Sequence, residues 1–493
     1  MKCLNNIIIS MVLLCLNRAA QAQGHDAHWI FGNGYHLRFD ETGPTVLPFI
    51  DDFYAFEGAS CISDKTGDLL FYSNTIRIWN REFLPLFNSD TFPALDVPPS
   101  SSKTNGSMFL PWPGDTAGRF FAFFAINDTD DKLYLSKIDK NLDSGLGGVV
   151  EDCKYKLVWE FEISEQLCAV KHGNGEDWWI IARKGSVTSS EFIISLFTSE
   201  GLGNTMIESS GFEGGFAGEL TADLSGTKLA LATTYGPALP TVAVYEFDRC
   251  DGLVELMDTI LTLNGSNFSY GISFSPDGSK IYYTTIEKTR LYQLSLFEGA
   301  LYDSLIFRYA GSDHLYFNGS ALQYGSNGKI YMNYRKATLS GGFDGLSDHL
   351  GVINFPNLPG NFCHFDTFGV YLNGRESTTY SLPNFPNYDL GPLIGSPCDT
   401  LSPVDTTQTS IPVFPQGTNI WSVIPTISNG LFAIRGAANG TLMVYDLYGR
   451  EVFRKSLTNT PSFDLSTYPA GLYWVTVQSD EGIWYPALKI IRQ

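Results

Sequence analysis

The densest chemistry in this 493-residue chain lies in His172-Gly173-Asn174-Gly175-Glu176-Asp177-Trp178-Trp179. A carboxylate beside an imidazole can orient it for proton transfer, and an indole offers a stacking face to a sugar or a cation. The same residues also spell a turn. Glycines bracket Asn174, Asp177 is placed to accept hydrogen bonds within the loop, and one tryptophan is expected to pack inward. Turn chemistry weighs more, because no second cluster of this kind stands at a comparable place elsewhere. If a ligand-binding patch is legible in the sequence, it is His172, Asn174, Asp177 and Trp178.

Other reactive patterns are weaker. Asp128, Asp130 and Asp131 in NDTDDK bring three carboxylates to one turn, which calcium could use. The spacing is not that of an EF-hand loop and no glycine sits at its centre, so a solvated turn is expected. The six remaining histidines, His25, His28, His36, His314, His349 and His364, show neither H-x-x-x-H nor H-E-x-x-H spacing, and no C-x-x-C occurs. Neither a G-x-S-x-G elbow nor a phosphate loop is present. No catalytic residue, metal or cofactor is expected from local motifs.

The elements that would position such residues are strands. Phe, Tyr and Trp make up 14% of the chain and Gly reaches 48, while no long stretch carries a 3.6-residue apolar period. A Gly-containing turn followed by an aliphatic-aromatic strand recurs at 63–80, 169–184, 222–235, 274–296 and 324–336. Its glycines Gly175, Gly226, Gly278 and Gly328 step by 51, 52 and 50 residues. Such regularity points to a radial arrangement of about 53 residues per blade. The expectation is all-β: a seven-bladed β-propeller over 23–400, a linker over 401–415, and a small C-terminal β-sandwich over 416–493. Ring closure is expected from pairing of the segment near 28–40 with the remnant near 362–375.

The N-terminal end carries an export signal. Lys2, the apolar run 7–16 and Ala20-Gln21-Ala22 form a signal peptide over 1–22, with Gln23 as the mature start; ten apolar residues are too few to span a bilayer. Losing Lys2 and Arg18 takes the formal charge from -20 to -22. That acidity argues against nucleic acid or an anionic membrane surface as partner. Cys61, Cys153, Cys168, Cys250, Cys363 and Cys398 then remain, an even number in an oxidising compartment, with at least one disulfide expected and fifteen complete pairings open.

In the tail, YDLYGREV, LSTYPAGLYWVTV and LKIIR resemble the C-terminal sorting domain of the type IX secretion system of Bacteroidetes-type bacteria. The segments HWIFGNGYHLRFD, EGASCISDKTGDLLFYSNTIRIWN, ISFSPDGSKIYYT and GSPCDT resemble the secreted WD40-like propellers that precede such domains. The resemblance implies a secreted or cell-surface protein whose partners are the secretion machinery and its surface peptidase, with attachment to surface lipopolysaccharide. It names no reaction. The expected role is a binding or structural module for an extracellular glycan or protein ligand. The alternative is a carbohydrate-active hydrolase or lyase with its site in the central cleft of the propeller.

Overall fold

In a computed structural model the protein is described over residues 24–40, 42–90, 101–185, 188–234, 241–260, 268–285, 290–296, 302–308, 315–338, 348–374, 379–399, 422–424, 427–435, 440–446, 451–457, 462–478 and 488–492. The signal peptide and the linker fall outside these residues. Contacts divide the chain into two compact units, one of residues 1–354 with 365–401 and one of 355–364 with 402–493.

The recurrent turn builds the larger unit. In five copies the amide of the turn glycine closes on the carbonyl three residues earlier: Gly67 on Asp64, Gly175 on His172, Gly226 on Asp223, Gly278 on Ser275 and Gly328 on Gly325. Gly175, Gly226, Gly278 and Gly328 all have φ between 65° and 81°, a region a Cβ disfavours. An aspartate completes the turn in several copies; Asp223 Oδ1 accepts the amides of Thr227 and Lys228. Each turn reverses the chain into an antiparallel strand rich in β-branched and aromatic residues. Lys280–Thr285 is buried along its whole length, as a strand packed between sheets must be.

Seven antiparallel sheets follow one another in chain order and form a seven-bladed β-propeller. Blade 1 holds His28–Phe31, Tyr35–Asp40 and Gly43–Val46; blade 2 holds Ser60–Ser63, Leu69–Ser73 and Ile78–Asn80. Blade 3 runs from Ser107–Pro111 to Gly148–Val149, with Lys156–Leu157 added. Blades 4 to 7 have four strands each and begin at Ile163–Lys171, Leu220–Ala222, Ser269–Phe274 and Leu315–Tyr324. First strands lie side by side from blade 1 through blade 3 and again from blade 4 through blade 7. Apolar faces fill the spaces between blades; Trp29 and Phe39 of blade 1, for example, pack on Tyr331 of blade 7.

Closure differs from expectation. Phe365–Tyr371 does not pair with the N-terminal strands, because it already pairs with His349–Ile353 as the last strand of blade 7. Residues 379–399 close the ring instead, as a strap that runs down the axis. At one end Tyr380 N–H donates to Phe56 O, Gly32 N–H to Ser381 Oγ, and Asn333 Nδ2 to Ser381 O. Midway, Asn384 N–H donates to Ala59 O and its side-chain amide to Leu167 O at 3.1 Å. Farther on, Asn387 donates to Leu224 O and the Tyr388 hydroxyl to Phe109 O. The strap leaves past Arg249, which donates to Gly391 O, and ends in the disulfide Cys250–Cys398. Irregular backbone can be buried there because asparagine amides and strand carbonyls satisfy one another.

The smaller unit packs two sheets face to face. Leu431–Arg435 lies between Ser422–Ile424 and Ser462–Asp464 in one; Leu488–Arg492, Gly471–Gln478, Gly440–Tyr445 and Glu451–Leu457 follow in order in the other. Alternate residues point inward: Leu442 and Val444, then Tyr473, Val475 and Val477, meet Phe432, Ile434 and Phe463. The small C-terminal β-sandwich read from the sequence is this unit.

Candidate functional site

The turn at 172–177 is held by its own side chains and by the strap. Asn174 N–H donates to His172 Nδ1, and His172 Nε2 lies 3.1 Å from Cys250 O, so the ring proton sits on Nε2. Asn174 Oδ1 accepts the amides of Glu176 and Asp177, while its amide donates to Asp177 Oδ2 at 2.7 Å. Leu393 N–H donates to Gly173 O. A Cβ on Gly175 would lie 2.6 Å from Pro392 N, and one on Gly173 would lie 2.2 Å from Cys398 Sγ, so close approach of the strap requires glycine at both places.

Trp178 follows on the first residue of the next strand. It is 1% exposed, set edge-on to Tyr388, with Lys171 Nζ 4.6 Å above its ring. Burial lowers the Lys171 pKa, and the ammonium also donates to Gly175 O. The structure therefore brings His172, Asn174 and Asp177 into one hydrogen-bonded turn and places Trp178 behind it.

Two cavities flank Tyr388 and Asp389 where the strap leaves the axis. The larger, about 500 Å³, is lined by Gly175, Glu176 and Trp178 together with Lys65, Trp112 and Asp115. The smaller, about 250 Å³, lies on the other side of Asp389 and reaches Asp26, Gln323 and Tyr324. His25 borders the larger cavity; burial lowers its pKa, and its Nδ1 meets Ser63 O at 2.6 Å.

At the opposite end of the axis lies a second polar centre that no local motif announces. Thr104 Oγ1 is 2.9 Å from Glu165 Oε2 and 2.8 Å from the Tyr270 hydroxyl, joining elements 166 residues apart. Burial raises the pKa of Glu165, and burial with repulsion from Glu165 raises that of Glu57. Deeper, Glu219 Oε2 accepts the amides of Ile272 and Leu322, and burial pushes its pKa up to about 8. These groups tie blades together across the axis.

The three carboxylates of the 128–131 turn go to separate partners: Asp128 accepts from Ser101, Asp130 from Tyr134, and Asp131 pairs with Lys103 at 2.5 Å. Among the described residues no group of three or more His, Cys, Asp or Glu is arranged to hold a metal ion. Cys61, Cys153 and Cys168 are free thiols.

The family described as the secretion-system C-terminal sorting domain matches residues 422–491. The C-terminal unit is a sorting domain of the type IX secretion system. Such a domain implies secretion and cell-surface attachment, and engagement of the secretion machinery. Among the described residues no helix is long and apolar enough to cross a membrane.

No curated protein matches the chain. Among solved structures, the β-propeller domain of Cps50 (Swd1) from Myceliophteria thermophila is similar at 12% identity, covering 64% of this chain and 95% of that one with a TM-score of 0.38. A periplasmic gluconolactonase of Pseudomonas aeruginosa is similar at 11%, covering 94% and 95% with a TM-score of 0.35. Hydrazine synthase of Kuenenia stuttgartiensis is similar at 9%, covering 65% and 96% with a TM-score of 0.37.

Proposed function

We propose that the propeller is a binding module for an extracellular glycan or protein, delivered to the cell surface or the medium by its sorting domain. The observation that carries this is the exit of the strap. The axis itself is filled by the chain, yet an open cavity of about 500 Å³ remains beside it, walled by Trp112 and Tyr388 and edged by Lys65, Asp115 and Glu176. Aromatic walls give a ligand apolar contact while charged and polar groups at the rim fix its orientation. His172, Asn174 and Asp177 serve this site through the turn that presents Gly175, Glu176 and Trp178 to it. In this reading a surface peptidase cuts within 401–415 and the propeller is retained on surface lipopolysaccharide.

A glycan and peptide array probed with the secreted protein tests the reading. Binding that falls at least tenfold in Trp112→Ala while the protein stays folded and keeps most of its stability is the expected result. Absence of any binding overturns it, and product release from a polymer replaces it with a hydrolase or lyase. Export is tested separately by deleting 416–493 and fractionating the cells; normal surface delivery of the truncated chain would remove the sorting domain from the account.

A further inference from the structure

Closure of the ring brings together two carboxyls that lie 363 residues apart in the sequence. A methyl placed on Gly24 would sit 3.2 Å from Asp26 Oδ1 and 3.5 Å from Asp389 Oδ2, so these oxygens are less than about 7 Å from each other, close enough for one sugar residue to meet both. Both border the 250 Å³ cavity, and the rest of its wall is neutral: Gln323, Asn387 and Ser273 supply amides and a hydroxyl, and Tyr324 and Phe385 supply rings.

Resting on the reading of the propeller as a binding module, we infer that Asp26 and Asp389 are the polar anchor for a neutral glycan, one carboxyl donating a hydrogen bond and the other accepting one. Vicinal sugar hydroxyls are both donors and acceptors, so a site that offers one of each matches them, whereas two carboxylates offer acceptors only. The surroundings of Asp26 favour the acid. Desolvation, reinforced by the charge of Asp389 and partly offset by the residue's own N–H, pushes its pKa up to about 6. Cys61, Tyr324 and Tyr388 sense the charge of Asp26, and all three are neutral. Lys65 and Lys171 act on His25, and both His25 and Lys171 also sense the charge of Asp389. Asp389 rides on the strap, so the anchor exists only once the ring is closed.

The sign of the pH dependence follows. Below about pH 6 Asp26 can donate; above it the ligand must bind a site that has lost its donor, and affinity falls by about tenfold between pH 5 and pH 7. The test uses the full secreted chain and immobilised neutral oligosaccharides (glucan, mannan, xylan and galactan fragments) at pH 5 and pH 7, with thermal melting as a control. Asp389→Asn is expected to lose at least tenfold in affinity. Asp26→Asn keeps a donor that does not titrate, so it is expected to bind at both pH values as the wild type binds at pH 5. Binding that both variants leave unchanged overturns the anchor while the binding-module reading stands. Loss of binding in Asp26→Asn at an unchanged melting temperature also overturns it, as does calcium binding that Asp26→Asn abolishes. A wild type that binds no oligosaccharide or peptide overturns both.

Discussion

Trp178 and Trp112 show how two residues of one type divide between packing and recognition. Trp178 is buried against Tyr388, so its replacement by alanine leaves a cavity at the axis and should cost about 3 to 5 kcal/mol. Chemical denaturation of Trp178→Ala measures this; a loss under 1 kcal/mol would mean that the ring is not part of the core. Trp112 is half-buried on the cavity wall with its indole N–H on Ser199 O, so Trp112→Ala should lower ligand affinity and leave most of the stability. The turn at 172–177 was legible as a turn from its glycines and its Asx chemistry. What it packs against was not, because Pro392 and Cys398 are more than two hundred residues away. The Asp26–Asp389 pair was invisible for the same reason: neither carboxyl belongs to a motif, and only closure of the ring makes them neighbours.

At the scale of elements, the repeat of Gly-containing turns announced blades, and its spacing announced their number. The blades formed where the sequence alternates and turns at regular steps, since hairpins are local. Closure is non-local, and there periodicity is silent. The segment near 362–375 looked like an unfinished blade because its three partner strands precede it in chain order. The strap carries a different signature, Ser381-Leu-Pro-Asn-Phe-Pro-Asn-Tyr388, in which prolines withhold donors and asparagine amides stand in for missing ladder bonds. Asn384→Ala should therefore strand the buried Leu167 carbonyl and cost about 1 to 3 kcal/mol. The Cys250–Cys398 bond pins the strap's end across 148 residues, a long loop whose closure restrains the unfolded chain, at about 2 to 5 kcal/mol. Cys250→Ser with Cys398→Ser should lower the melting temperature, and reductant should do the same to the wild type only. An unchanged melting temperature in the double variant would show that the strap is held without it. Cleavage anywhere from 401 to 415 should spare the propeller, since all described strap contacts lie before residue 400.

For the whole molecule, the buried acids along the axis decide how stability responds to pH. Glu219 ordinarily titrates near 4.5 and is pushed up to about 8 in the fold. Between those values the folded state holds a proton that the unfolded chain has released. Stability from this group is therefore present at low pH, declines as pH rises toward about 8, and levels off above it, with a slope of at most about 1.4 kcal/mol per pH unit. Glu57 and Glu165, raised by burial, act in the same direction. The histidines oppose them at lower pH. Burial lowers His28 to about 4 and His36 to about 3, so below their ordinary 6.5 the unfolded chain takes up protons that the folded one refuses, and stability falls as pH falls. Above pH 6.5 the histidines no longer oppose the acids, and the melting temperature should drop toward pH 8.5, where the buried thiols, raised by burial, begin to add to the decline. The net charge of -20 adds repulsion across the surface, but added salt screens that and leaves the buried term in place. Glu219→Gln keeps an acceptor for Ile272 and Leu322 and has no proton to lose, so it should flatten the decline and melt above the wild type at pH 8.5. Melting scans of both proteins across this range in high salt decide the matter: a wild-type melting temperature that rises with pH, or a variant that follows the wild-type curve, would show that the axial acids do not carry the dependence.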